Sequence, residues 1–166
     1  VQSHKDDFLS LLQALVEQET PSDDPDEFTE FWNFLRDQFE AMDFTVEQSK
    51  GNTTAGTMLC TPPGFNPDEP IQLIVGHCDT VWPVETLKEM PFQVSGNEVS
   101  GPGTYDMKAG LVMMIIAMRA VAHLGKSPQV QPVFLINSDE EIGSDESQDL
   151  LVEQARRAKR TIVMEP

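Results

Sequence analysis

The sequence is poor in positive charge: 11 Lys and Arg stand against 28 Asp and Glu in 166 residues, a net charge of -17. Cations so few and so scattered cannot form a phosphate-tracking stripe, so no nucleic-acid partner is expected, and solubility accounts for most of the acidity. Cysteine is scarce too. Cys60 and Cys78 sit at or near the ends of different apolar segments and are too few for a disulfide framework, so two buried free thiols are expected. No apolar run approaches the length that crosses a bilayer; the longest, LVMMIIAM (111–118), suits a core helix, and no membrane partner is expected. Internal repeats and low-complexity tracts are absent. The first residues, VQSHKDDF, lack both an initiator Met and the features of a signal peptide. A processed or excised chain with a cytoplasmic location is the plain expectation, a removed leader staying open.

What remains is ordinary for a folded domain. At 39% hydrophobic and 23% charged residues, the composition indicates neither disorder nor a fibrous chain. The length suits one domain or half of a larger two-domain protein.

Apolar periodicity predicts an amphipathic helix over 7–16, with Phe8, Leu11, Leu12, Leu15 and Val16 on one face, broken by TPSDDP (20–25). A second helix from about residue 26 carries Phe28, Phe31, Trp32, Leu35, Phe39 and Met42 on a stripe that reads as core. FTVEQS (44–49) and TAGTMLC (54–60) read as strands joined by a hairpin-like KGNT turn, and TPPGFNPDEP (61–70) as a loop. IQLIVG (71–76), PVFLIN (132–137) and TIVM (161–164) are short, nearly continuous apolar runs, the pattern of strands buried on both faces. Between them lie a long apolar helix within 107–125, stopped at Gly125, and an amphipathic helix within 146–159 whose basic residues fall at its C-terminal end. Strand, helix, strand, helix, strand predicts an α/β fold with a mainly parallel mixed sheet flanked by helices.

In an open α/β sheet, ligands bind beyond the carboxyl ends of the strands. There the sequence places His77, Cys78 and Asp79 after the first apolar run, Asp139, Glu140 and Glu141 after the second, and Glu165 after the third. Asp106 lies in the glycine-rich turn GPGTYDMKAG (101–110) before the apolar helix, where it could equally be an N-cap. Each residue alone has a bland explanation as a surface histidine, a cap or a solvated loop. Together, one imidazole and several carboxylates at one sheet edge repel one another unless a cation or protons compensate. Imidazole with carboxylates suits zinc, cobalt or manganese rather than calcium, and the surplus of acids accommodates two ions sharing a carboxylate. Of two adjacent glutamates, one can face an ion and leave the other free to take a proton from water.

The motifs GHCDTV (76–81), GPGTYDMKAG, NSDEEIGS (137–144) and MEP (164–166), in this order and spacing, resemble the M20 family of di-zinc metallopeptidases, nearest its glutamate carboxypeptidase (carboxypeptidase G-like) branch. The resemblance covers the chain from about residue 71 onward and implies a zinc-peptidase-like catalytic domain. It also implies two Zn2+, with Co2+ or Mn2+ as substitutes. By position, His77 and Glu165 would hold one ion, Asp106 would bridge both, and Glu141 would bind the second. Glu140 would be the general base that moves a proton from the attacking water to the leaving amine. Asp79 would accept a hydrogen bond from the other ring nitrogen of His77 and fix its tautomer. A cis peptide between Asp106 and Met107 is implied as well. Family members continue into a lid or dimerisation domain and return with a final His on the second zinc. The expectation is therefore an N-terminal portion of the catalytic domain (1–166), incomplete at its C-terminus, from a protein that is a homodimer at full length and is inactive or impaired as this portion alone.

The expected activity is zinc-dependent hydrolysis of an amide, releasing a C-terminal amino acid such as glutamate from a small peptide or N-acyl conjugate. A deacylase or aminopeptidase of the same family, an inactive metal-binding module kept for partner contact, and a metal-free α/β domain are the alternatives.

Overall fold

The computed structural model describes residues 4–166; the first three positions, part of the N-terminal stretch considered above, lie outside the described residues. Helix α1 (Lys5–Val16) and helix α2 (Thr29–Glu40), the latter entered through a 3-10 turn at Pro25–Phe28, form where the apolar spacing predicts. They bury Leu12, Leu15 and Val16 from α1, and Phe31, Trp32, Leu35 and Phe39 from α2.

Strands β1 (Thr45–Ser49) and β2 (Thr57–Thr61) follow, then β3 (Ile71–His77), a small antiparallel hairpin of β4 (Gln93–Ser95) and β5 (Glu98–Ser100), and helix α3 (Ala109–His123). Gly125 ends this helix with φ +61°, its amide donating to the Ala122 carbonyl, so the predicted stop holds. Strand β6 (Gln131–Asn137), helix α4 (Gln148–Arg157) and strand β7 (Ala158–Val163) complete the chain.

The five-stranded sheet has the order β1-β2-β6-β3-β7. Its β6-β3-β7 part is parallel, with Ile74 opposite both Phe134 and Ile162, whereas β1 and β2 add on antiparallel to β6. Side chains alternate between the two sheet faces. One face carries Met58, Cys60, Ile74, Phe134 and Ile136 against α1, α2 and α3, where the rings of Phe39, Phe44 and Phe134 meet edge-on or tilted at 5.0–5.9 Å between centroids. The other carries Ile71, Leu73, Val133 and Leu135 against Leu150 and Leu151 of α4. Both cysteines are buried free thiols.

Two expectations need correction. TIVM was expected to be buried on both faces, but β7 hydrogen-bonds to β3 alone, and Ile162 and Val163 are 37% and 56% exposed. The helix expected to extend to residue 159 ends at Arg157, and the chain enters β7 at once, because Ala158 is extended (φ -75°, ψ 131°). The hairpin β4–β5 was not anticipated; its strands are three residues each and mostly exposed, so they carry no apolar run to detect. Among the described residues no helix is long and apolar enough to cross a membrane.

Candidate metal centre

Because β3, β6 and β7 run parallel side by side, their carboxyl ends open onto one edge, and the residues after each strand meet there. His77 is the last residue of β3 and is 1% exposed. Its Nε2 lies 2.9 Å from Asp106 Oδ1 and 3.8 Å from Glu140 Oε2. Its Nδ1 lies 3.1 Å from the backbone carbonyl of Asp79 and 3.3 Å from Asp79 Oδ1. The side chain of Asp79 thus faces the inner ring nitrogen, although the carbonyl of the same residue is nearer.

Asp106 reaches the site from the turn before α3. Its backbone is extended (φ -117°, ψ 104°), the helix is entered at Lys108, and no side chain caps that end, so the N-cap alternative falls. The Asp106–Met107 peptide is cis. Glu140 and Glu141 open a short 3-10 turn after β6, and Glu165 follows β7. The site side chains form two overlapping groups, His77 with Glu140 and Glu165, and His77 with Asp106 and Glu141, each with its ligand atoms within 4.8 Å of one another. The structure therefore gathers His77, Asp106, Glu140, Glu141 and Glu165 at one edge. It places Glu140, rather than Asp106, in the group with Glu165.

The electrostatics show a site rich in uncompensated negative charge. Burial disfavours the imidazolium of His77, yet hydrogen bonding and charge from Asp79, then Asp106 and Glu140, raise its pKa to about 9. Burial raises the carboxyls of Glu140 and Glu141; His77 opposes this in both, while Glu165, Asp79 and Asp106 push Glu140 further up and Asp106, Asp79 and Glu140 push Glu141 further up. A divalent cation would relieve this repulsion, and one imidazole with four carboxylates is a donor set that zinc, cobalt or manganese accepts. The residues fit the group that the strand-end pattern called for.

Asp139, named in the sequence without a role, has one here, and two further participants escaped sequence reasoning. Asp139 is 2% exposed; its Oδ2 accepts the amides of Glu146 and Ser147 and its Oδ1 accepts the Asn137 side-chain amide, which shapes the loop carrying Glu140 and Glu141. Ser22 donates to Asp79 across the fold. Lys108, 1% exposed, donates to the Gln18 carbonyl at 2.6 Å and sits over the Phe31 ring, tying the Asp106 turn to the end of α1. Asp139 was visible as a strand-end acid, but nothing in the local pattern marks Ser22 or Lys108, whose partners lie 57 and 90 residues away.

Known proteins resemble this chain in sequence and in fold. Carboxypeptidase G2 of Pseudomonas sp. (strain RS-16) is 31% identical over 165 residues, covering 95% of this chain and 38% of that protein. Succinyl-diaminopimelate desuccinylase of Blochmanniella floridana is 26% identical over 139 residues, covering 81% of this chain and 35% of that protein. The chain thus spans less than two-fifths of the length of these relatives. Among solved structures, human carnosine dipeptidase 1 superposes with a TM-score of 0.80 over 98% of this chain and 39% of its own, at 18% identity, a likeness of fold. The model of peptidase family M20/M25/M40 matches residues 73–166, more than half of the chain and all of the strand-end cluster, and the chain belongs to that family.

Proposed function

We propose that this chain supplies the metal-holding part of a zinc-dependent amide hydrolase of carboxypeptidase type, one that releases a C-terminal amino acid such as glutamate from a small peptide or N-acyl conjugate. The observation that carries this is the convergence of His77, Asp106, Glu140, Glu141 and Glu165 at one sheet edge, in a chain 31% identical to carboxypeptidase G2. His77 and Glu165 would hold one ion, Glu141 a second, and Asp106 both. When bound, such ions polarise the scissile carbonyl and lower the pKa of water. Glu140, half exposed beside His77, takes the proton of the attacking water and delivers it to the leaving nitrogen. Asp79 holds the His77 ring in place from behind. In this reading the catalytic unit includes sequence beyond these residues, which the greater length of the relatives supports; that sequence would bring the remaining ligand of the second ion and the contacts that choose the substrate.

The likeness to a desuccinylase favours a second reading, cleavage of an N-succinyl amide by the same site. The two separate in one assay of the full-length protein loaded with zinc, using N-acyl-glutamates and peptides ending in glutamate against N-succinyl amines. Release of glutamate supports the carboxypeptidase reading, preferential release of succinate the other, and turnover of neither class by zinc-loaded protein overturns both.

A further inference from the structure

The segment TPSDDP, which reads in the sequence only as a helix breaker, runs alongside the residues that follow β3. Thr20 Oγ1 donates to the Cys78 carbonyl at 2.6 Å, the Thr80 amide donates to the Thr20 carbonyl at 2.8 Å, and the Ser22 amide donates to the Thr80 carbonyl at 3.2 Å. Residues 20–22 thus form a strap against residues 78–80, with Pro21 bridged to Thr80. At its end, Ser22 Oγ donates to Asp79 Oδ2 at 2.8 Å, and both side chains are buried, at 6% and 0% exposure.

Asp79 does more than face His77. Its Oδ2 also accepts the Glu141 amide at 3.1 Å, and its Oδ1 accepts the Glu140 amide at 3.3 Å while lying 3.3 Å from His77 Nδ1. One buried carboxylate therefore joins the end of β3 to the backbone of the two glutamates after β6. A carboxylate offers about four acceptor positions on two oxygens, and a full set of donors fixes its plane. Ser22 is the donor that comes from outside the centre. Without it Asp79 could rotate about its side-chain torsion, and the ring of His77 and the Glu140–Glu141 turn would lose their common reference.

We propose that Ser22 is a positioning residue that acts through Asp79 to hold His77, Glu140 and Glu141 in register for metal binding, an inference that rests on the zinc-hydrolase reading above. Direct partners of a metal ligand, such as Asp79, are worth about 10- to 100-fold in metal affinity or activity, and Ser22, one contact further out, is expected at the lower end of that range. Thr20 provides the control, since Thr20→Val removes a strap hydrogen bond that does not touch Asp79.

The experiment uses the full-length protein and measures the zinc dissociation constant by competition with a chromophoric chelator, alongside kcat, KM and the melting temperature of the metal-free form. Ser22→Ala is expected to weaken zinc binding about 10-fold and to lower kcat with KM within about threefold. Thr20→Val is expected to lower the melting temperature while leaving zinc affinity within about threefold of wild type. Zinc affinity of Ser22→Ala within twofold of wild type overturns the proposal, and so does an equal loss of affinity in Thr20→Val, which would make the strap a matter of folding alone. Where the alanine variant does not fold, Ser22→Thr, which keeps the hydroxyl, takes its place: affinity within threefold of wild type supports the role, and a 10-fold loss at unchanged melting temperature overturns it. Wild-type protein that binds zinc but cleaves no amide ends the hydrolase reading while the affinities still decide on Ser22. Wild-type protein that binds no zinc overturns both.

Discussion

Glu140 and Glu141 are neighbours in sequence, and the 3-10 turn they open sends them to different company: Glu140 Oε2 lies 3.8 Å from His77 and groups with Glu165, while Glu141 groups with His77 and Asp106. A base must accept a proton, whereas a ligand must stay ionised, so the two glutamates respond differently to loss of charge. Glu140→Gln keeps size and polarity but cannot take a proton from water. It is expected to lower kcat by about 10²- to 10⁴-fold while zinc content, measured by elemental mass spectrometry, stays at the wild-type level. Turnover at the wild-type rate would move the base elsewhere. Glu141→Gln is expected instead to lower zinc content itself. From the residues alone it was legible only that one of two adjacent glutamates can face an ion and leave the other free; the assignment of Glu140 as base and Glu141 as ligand came from the family resemblance. Ser22 was not legible, because a hydroxyl in a turn looks the same whether it faces water or, as here, a buried carboxylate 57 residues away.

Between elements, the segment joining β1 to β2 is tied to the loop before α4 by one carboxylate. Glu146 accepts the amide and hydroxyl of Thr53, the hydroxyl of Thr54 and the amide of Asn52, at 2.8–2.9 Å. These bonds, those of Thr53 foremost, hold its pKa down at about 2 against an ordinary value of 4.5. A carboxyl depressed in the folded state contributes stability that is fully present above its unfolded value and is lost as pH falls through its folded one. Glu146→Gln is therefore expected to be less stable than wild type at pH 6, with the difference shrinking below pH 4.5 and vanishing toward pH 2, as read from urea midpoints across a pH series. A gap that persists at pH 2 would mean that the clamp is not ionic. A second element-scale prediction concerns α3, whose first turn crosses the chain leaving β7: a Cβ on Gly110 would overlap the Met164 carbonyl oxygen. Gly110→Ala is expected to cost about 1–3 kcal/mol in denaturant unfolding by pushing the helix off that segment. The central strands β3 and β6 were legible because burial on two faces leaves continuous apolar runs. KGNT was legible as a turn, but not the clamp on it, since Glu146 approaches from more than 90 residues away. The exposure of β7 was hidden for a related reason: its short apolar run reads the same whether one neighbour or two flank the strand.

For the whole molecule, the decisive fact is that a chain of net charge -17 gathers Asp106, Glu140, Glu141 and Glu165 around one imidazole at a single sheet edge. Hydrophobic packing on both faces of the sheet fixes where β3, β6 and β7 end, so the carboxylates are brought together by the core and not by attraction for one another. Folding without a cation must then work against their repulsion, which the raised carboxyls of Glu140 and Glu141 register, after burial, as the pressure of neighbouring charge. A ligand that binds only the folded chain stabilises it by mass action, by about 2.7 kcal/mol at a free concentration 100 times its dissociation constant. For a domain of this size that corresponds to a rise in melting temperature of roughly 5–10 °C. Removal of metal with a chelator is expected to lower the melting temperature by that amount, and zinc, cobalt or manganese to restore it. Magnesium or calcium at the same concentration should restore little, because both prefer all-oxygen sites and the imidazole of His77 stands at the centre of this one. Equal recovery with calcium would mean that the edge acts only as a diffuse acidic surface. No change with any metal would mean that the carboxylates meet without holding an ion, and the hydrolase reading would lose its foundation.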